Sequence, residues 1–235
     1  DGLFSRPVVG MPYNPQYYQQ HFEAFGLIKA KDLFAWHMES NGELPPKIQR
    51  MIDRVIERPG LVLRNIDMSH FDEEASLLRS LYNESWSQNW GFIPMDDADF
   101  AYSAKDLKSM VDPAYILIAE MDGKPVGFSV TFPDFNIATQ PMKGKMYPFG
   151  WLKFLMAKRT INYARMPLMG VLPDYRKLGV DMALVYRTLQ AVFEKGITAG
   201  ECSWILEDNK PMNRILEGYG AQMYKTYRIY EKPVA

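Results

Sequence analysis

The sequence contains a single cysteine, Cys202, and three histidines that are far apart, at positions 21, 37 and 70. One cysteine cannot form an internal disulfide bond, which is typical of proteins in a reducing compartment and predicts a cytoplasmic location. Neither residue type recurs at the spacing of metal ligands, so we expect no metal site. Cys202 has no histidine near it in sequence, and its position in a predicted strand favours burial over nucleophilic catalysis.

The chain also lacks a large excess of charge and any long apolar run. Its 235 residues carry a net charge of −1, which gives no electrostatic reason to expect a nucleic acid as partner. No apolar run approaches the roughly 20 residues of a membrane span. The chain begins with neither a methionine nor the pattern of a signal peptide, so we expect a fragment or a processed piece.

Hydrophobic periodicity and turn signals predict an α/β fold with one central, mixed sheet flanked by helices. The predicted strands are 31–38, 61–67, 115–121, 125–132, 162–171, 199–207 and 222–232, and the predicted helices are 13–25, 46–57, 72–86, 96–110, 180–195 and 210–219. Asp122 and Gly123 predict a hairpin between two of these strands. The strand–helix–strand unit at 162–207 is expected to be a right-handed parallel crossover.

The most informative segment is the turn between the strand at 162–171 and the helix at 180–195. It contains Arg176, Lys177 and Gly179. A strand that runs through a basic, glycine-containing turn into a helix directs backbone N–H groups and positive charge towards one point. Such a point suits a phosphate or pyrophosphate, so the turn predicts a phosphorylated cofactor.

This element order and this turn resemble the GNAT superfamily of acyl-CoA N-acyltransferases over residues 61–235. The family turn reads Gln/Arg-x-x-Gly-x-Gly/Ala and holds the pyrophosphate of acyl-CoA. The resemblance implies that acetyl-CoA or another acyl-CoA is the cosubstrate, and that the pantetheine arm pairs with the backbone of the strand before the turn. The implied cofactor-binding residues are Met169, Gly170, Val171, Arg176, Lys177, Leu178, Gly179, Val180, Asp181 and Asn209.

The chain also resembles a widespread group of bacterial proteins in which a further GNAT-like half precedes this domain. The shared text lies at 89–94, 112–113, 203–209 and 224–231. Residues 1–40 look like the tail of that first half, and the breaker at 58–60 predicts a boundary. We therefore expect 1–60 to be a C-terminal remnant of the first half plus a linker helix, and 61–235 to be the GNAT-like domain. Apolar surface exposed by the missing half predicts a homo-oligomer through residues 1–57.

Two positions depart from the family pattern. Asp181 stands where the family has Gly or Ala, and its carboxylate would repel a pyrophosphate by about 1 kcal/mol or more. The alternative is that the side chain points away from the pyrophosphate and that its charge interacts favourably with the dipole at the helix start. Leu216 stands where the family often has a tyrosine as general acid, which leaves Tyr219 or Tyr186 as substitutes. Two functions remain open. One is an N-acyltransferase that acetylates a small amine or amino-acid-like substrate, and the other is a catalytically silent GNAT-fold module that binds a ligand or a partner.

Candidates for the base and for the acceptor site come from two other segments. Glu207, at the end of the strand at 199–207, is the preferred general base if its pKa is raised. The alternative is that it organises the turn or pairs with a lysine or arginine. Trp86, Asn89 and Trp90 are the predicted acceptor-binding residues if they lie in a loop; on a helix face they would be core.

Residues 134–161 are predicted to be an irregular, basic insertion. From Asp134 to Gly170 there are six Lys or Arg residues and one acid. Three interpretations remain: a lid over the acceptor site, a solvated helix whose apolar face packs on the core, or a contact with a membrane surface.

Overall fold

The computed structural model of this chain describes residues 5–39, 43–96, 98–100, 108 and 112–233. The helices are α1 (Tyr17–Ala24), α2 (Pro46–Ile56), α3 (Phe71–Trp86), α4 (Phe135–Thr139), α5 (Gly150–Ala157), α6 (Val180–Glu194) and α7 (Lys210–Gly218). The strands are β1 (Ile28–Glu39), β2 (Leu61–Asn65), β3 (Ile116–Met121), β4 (Lys124–Pro133), β5 (Tyr163–Val171), β6 (Ala199–Leu206) and β7 (Gln222–Glu231). In the described part of the chain, no helix combines the length and apolar character needed to cross a bilayer.

The predicted strands are all present, and their ends differ from the prediction by at most three residues. The hairpin between β3 and β4 is confirmed, because the two strands pair antiparallel. Asp122 and Gly123 both have positive φ, 51° and 75°. A two-residue type I′ hairpin turn requires positive φ at both of its central residues. The helix predicted at 96–110 falls mostly outside the described residues. The segment predicted to be an irregular insertion contains the two short helices α4 and α5.

The strands form one seven-stranded sheet with the order β2-β3-β4-β5-β6-β1-β7. The predicted α/β class with a mixed central sheet and flanking helices is therefore confirmed. β1 pairs antiparallel with both β6 and β7, and the expectation that its residues form the tail of a preceding half stays a prediction. Its apolar residues predict a strand equally well in either location, since periodicity does not specify the neighbours of a strand.

The chain divides into two compact units. Unit 1 contains residues 1–41, 133–165 and 197–235, and unit 2 contains 42–132 and 166–196. This division follows compactness, and the boundary expected near residue 60 stays a prediction.

The core of unit 2 lies on both faces of β3. Ile116 and Ile118 belong to one buried cluster, which includes Leu78 of α3. Leu117 belongs to a second cluster, which includes Leu184 of α6. A strand that is buried on both faces has a continuous apolar sequence, and 116–119 reads Ile-Leu-Ile-Ala. Two buried faces fix the ends of α3 and α6 relative to β3 and β4, and those ends carry the candidate site.

Unit 1 contains the insertion, which is anchored through a buried aspartate. The Asp134 side chain accepts a hydrogen bond from Asn136 N at the start of α4 and another from Val9 N. It also forms an ion pair of 2.7 Å with Arg6. The interpretation of this insertion as a helix with its apolar face on the core is wrong for α5, because within that described helix only Gly150 is buried.

Candidate functional site

The predicted turn lies in unit 2, directly after β5. Residues Pro173–Leu178 form a 3₁₀ helix, Gly179 has φ of 81°, and α6 begins at Val180. Glycine adopts this left-handed conformation without steric cost. A Cβ atom at position 179 would lie 2.7 Å from Cγ2 of Val55 in α2. Both the backbone angle and the close approach of α2 therefore require glycine at this turn.

Arg176 fixes this turn to two other elements of unit 2. Its Nε donates to the Val171 carbonyl at the end of β5 at 3.1 Å. Its Nη2 donates to the Ser85 carbonyl in the last turn of α3 at 2.5 Å. The last carbonyls of a helix lack intrahelical partners and attract cations, so α3 favours the guanidinium there. Arg176 and Lys177 are nevertheless both exposed, and their contact with a phosphate stays a prediction.

Asp181 lies in the first turn of α6. Its carboxylate accepts a hydrogen bond of 2.9 Å from the backbone N–H of Met182. Burial raises the pKa of this carboxyl group, and the nearby charge of Arg176 opposes that shift. An anion bound at this helix start would meet the carboxylate. Because its pKa is raised, the group keeps its proton to a higher pH than an exposed aspartate does.

The strand backbone expected to face the pantetheine arm contacts α3. The indole Nε1 of Trp86 donates to the Met169 carbonyl at 3.0 Å. A Cβ at Gly170 would overlap the Ser85 hydroxyl and lie 2.7 Å from Cε1 of Phe128. The glycine therefore admits the close packing of α3 on β5. Pairing between this strand and a pantetheine arm stays a prediction.

The three predicted acceptor-binding residues follow one another around the end of α3. The Trp86 ring packs against Tyr82, with centroids 4.9 Å apart. The Asn89 N–H donates to the Trp86 carbonyl at 2.8 Å. Trp90 is 44% exposed. Trp86 thus has the packing role that a helix face predicts, while Trp90 presents an aromatic surface to solvent.

Glu207 and Asn209 lie in unit 1, after β6. The Glu207 carboxylate forms a 2.7 Å ion pair with Lys29 and accepts a hydrogen bond of 3.1 Å from Asp32 N. Lys29 lowers the pKa of Glu207, so the raised pKa expected of a general base is not found there. The geometry favours the alternative, a carboxylate that organises the turn. Asn209 caps α7, where its side chain accepts from Met212 N at 3.3 Å.

Two of the three positions considered for a general acid are buried, and the third, Tyr186, is partly buried. Leu216 is completely buried and Tyr219 is 5% exposed. Burial explains the leucine, which contributes to the apolar face of α7. A catalytic role for Tyr219 stays a prediction.

Sequence reasoning missed a buried polar cluster in unit 1. The completely buried Glu201 carboxylate accepts hydrogen bonds from the hydroxyls of Ser203 and Tyr224. Arg165 Nε lies 3.9 Å from Oε1, and Lys225 Nζ lies 4.0 Å from Oε2. Two cations and two hydroxyls therefore surround one carboxylate. The available signal was the alternation of Glu201 and Ser203 on one face of β6.

Cys202 lies between Glu201 and Ser203 in β6, and its side chain is buried. Burial raises the pKa of its thiol to about 12. The thiol therefore stays protonated near neutral pH, which argues against a nucleophilic role, as the sequence predicts.

Two curated relatives match nearly the whole chain, while no protein-family model matches it. Bacterial ceramide synthase from Caulobacter vibrioides is 38% identical over 237 residues, which cover 98% of this chain and 62% of that protein. Protein YghO from Escherichia coli is 36% identical over an alignment 241 residues long, which covers 100% of this chain and 61% of that protein. The chain therefore spans about three fifths of the length of the curated relatives it matches.

Solved structures share the fold at much lower identity. A GCN5-related N-acetyltransferase from Sphaerobacter thermophilus has a TM-score of 0.60 at 13% identity, covering 92% of this chain and 56% of that one. A tandem GNAT protein from the clavulanic acid biosynthesis pathway has a TM-score of 0.56 at 13% identity, covering 96% and 61%. The chain has the GNAT fold, and the resemblance stated from the sequence is confirmed at that level.

Proposed function

We propose that this chain takes part in acyl transfer from an acyl-CoA to an amine. The observation that carries the proposal is the strand–turn–helix from β5 to α6, found in a chain with the GNAT fold. The turn places two exposed cations, Arg176 and Lys177, just before a helix N-terminus. Positive side chains and a helix start favour a phosphate group at the same point. Within unit 2, these residues and Gly179 are the ones we propose to hold the phosphates of acyl-CoA.

The proposed reaction forms an amide and releases a thiol. The amine nitrogen attacks the thioester carbonyl carbon, the C–N bond forms and the C–S bond breaks. The amine loses a proton to a base, and the departing thiolate gains one from an acid. Glu207 and Tyr219 remain the proposed base and acid. The ion pair between Glu207 and Lys29 must open before Glu207 accepts a proton, because its pKa is lowered in the closed pair.

For the acceptor we propose the amine of a long-chain amino alcohol. The support is the name of the Caulobacter relative, which is 38% identical over nearly all of this chain. A ceramide is the amide of a fatty acid with such an amino alcohol. A small amine or amino-acid-like acceptor with acetyl-CoA, which the sequence predicts, is the alternative within the same reaction class.

A catalytically silent module is the second candidate function. The Asp181 carboxylate already lies at the start of α6, where it accepts a backbone N–H, and the position of the usual tyrosine is the buried Leu216. An internal carboxylate at a helix start occupies the place of a bound anion. In this case the fold would be kept for binding a partner.

Two measurements separate these functions. Calorimetric titration with acetyl-CoA and palmitoyl-CoA tests binding, and the release of free CoA thiol with sphinganine or small amines tests turnover. We expect Lys177→Ala to weaken acyl-CoA binding about tenfold, in the range of a hydrogen bond to a charged group. Lys124→Ala, which removes another exposed lysine of unit 2, is the matched control. Equal binding by both variants would remove the turn from the site, and the absence of any thiol release would favour the silent module.

A further inference from the structure

The insertion in unit 1 exposes a surface that is both apolar and basic. We call residues 143–159 the basic-apolar segment. Seven of its large apolar side chains are at least 42% exposed, with Tyr147 at 82%, and Phe154 is partly buried. The exposed residues include Met146, Tyr147, Phe149, Trp151, Leu155 and Met156. Soluble proteins seldom expose so many neighbouring apolar residues unless the surface binds a ligand, another protein or a membrane.

The exposed side chains stand on a hydrogen-bonded backbone. The Trp151 N–H donates to the Met146 carbonyl at 3.2 Å, and the Lys153 N–H donates to the Phe149 carbonyl at 3.1 Å. Upstream, the buried Asp134 ties the start of the insertion to Arg6. The segment therefore has hydrogen-bonded local structure, and its apolar side chains are exposed on that structure.

The charge of the segment is of one sign. It contains five exposed cations, Lys143, Lys145, Lys153, Lys158 and Arg159. From residue 135 to residue 173 the sequence has no acid. The whole chain has a net charge of −1, so this positive charge is local and does not reflect the protein as a whole.

Its arrangement differs from that of a helix that packs on its own protein. Such a helix buries an apolar stripe and exposes its polar residues. In the described helix α5, Trp151, Leu152, Leu155 and Met156 are exposed together with Lys153. Aromatic and aliphatic side chains interleaved with lysines are the composition of segments that lie in the interface of a bilayer.

We propose that the basic-apolar segment binds the surface of a membrane that contains anionic phospholipid. Trp151, Leu155 and Met156 enter the boundary between headgroups and acyl chains, and the five cations lie against lipid phosphates. Cations close to an anionic membrane each strengthen binding, which is why an anionic bilayer fits this surface better than a neutral protein partner. The proposal does not rest on acyl transfer, since the membrane contact is measured without substrate.

The first test is sedimentation of the intact chain with vesicles. Vesicles of phosphatidylcholine mixed with phosphatidylglycerol should bind the chain more tightly than pure phosphatidylcholine, and added salt should weaken the binding. Lys153→Ala together with Lys158→Ala should lower the partition coefficient about fivefold for each cation removed. Leu155→Glu together with Met156→Glu should lower it about tenfold or more. Ile93→Glu, at a site in unit 2 that is 80% exposed, is the matched control and should bind like the original chain.

The second test locates the contact. Phosphatidylcholine brominated on its acyl chains should quench tryptophan fluorescence when the chain binds, and Trp151→Phe should abolish most of that quenching while sedimentation persists. Circular dichroism verifies that each variant keeps its fold. Equal binding to neutral and anionic vesicles by the unaltered chain would overturn the proposal. So would quenching that survives Trp151→Phe, or a self-association that the Leu155 and Met156 changes abolish without any vesicle binding.

Discussion

Replacing the buried Glu201 with glutamine tests the energetics of unit 1 most directly. The substitution keeps the shape of the side chain and its capacity for hydrogen bonds with Ser203 and Tyr224 but removes its charge. Arg165 and Lys225 are then two cations with 9% and 8% of their side chains exposed and, among the described residues, no buried carboxylate within 4.0 Å. Breaking a buried ion pair from one side costs about 3–5 kcal/mol. For a chain of this length, that loss lowers the melting temperature by about 6–20 °C.

The effect should also depend on pH in a defined direction. Burial lowers the pKa of Lys225 below 10.5, and Glu201 opposes that shift. Without the glutamate charge, the folded-state pKa falls further below the unfolded value. Between those two values the unfolded chain binds more protons, so the free energy of unfolding rises with pH. The deficit of Glu201→Gln should therefore shrink as pH rises towards 10.5.

Differential scanning calorimetry at several pH values measures both effects. Glu217→Gln makes the same chemical change at an exposed glutamate of unit 1 and should leave the melting temperature within about 2 °C, as for an ordinary surface substitution. A Glu201→Gln variant that melts with the unaltered chain would refute the reasoning. A deficit that widens with rising pH would refute the role assigned to Lys225.

Three further predictions concern the turn in unit 2. Arg176→Ala should lower the free energy of unfolding by about 1 kcal/mol for each carbonyl it leaves, Val171 and Ser85; denaturant titration measures it, and an unchanged midpoint would contradict it. Gly170→Ala should cost about 1–3 kcal/mol through overlap with the Ser85 hydroxyl, and a neutral result in the same titration would mean that α3 gives way freely. Asp181 has a raised folded-state pKa, so the folded state binds more protons and stability falls as pH rises through that range. Asp181→Asn should remove this fall in thermal melts, and an identical pH profile would show that the carboxylate is not desolvated.

The sequence allowed the elements and the fold to be predicted because their signals are local. The Asp122-Gly123 pair gave the β3–β4 hairpin, and the apolar run at 116–119 matched a strand buried on both faces. The GNAT fold followed from the order of elements and from one turn motif. Each element and the turn are encoded by a few neighbouring residues, and the order of the elements is read directly along the chain.

The contacts that the sequence does not indicate join residues far apart in the chain. Lys29 lowers the pKa of Glu207 across 178 positions of sequence, and no pattern near Glu207 indicates that partner. The same holds for the carbonyl of Ser85, which receives Arg176 from 91 positions away. The exposure of Trp151 and its neighbours was also beyond reach, because the sequence of α5 suits a buried helix as well as an interfacial one.

The place of β1 in the sheet has a consequence for how the chain acquires its structure. Leu33 pairs with Leu206 on one side and with Tyr227 on the other, so the strand is synthesised well before both of its partner strands. Contacts of such long sequence separation slow folding, because a large loop must close before they form. Until then both edges of β1 are open to other strands. A chain that stops before β6 is therefore expected to aggregate through β1, and pairing with β6 and β7 is what protects it.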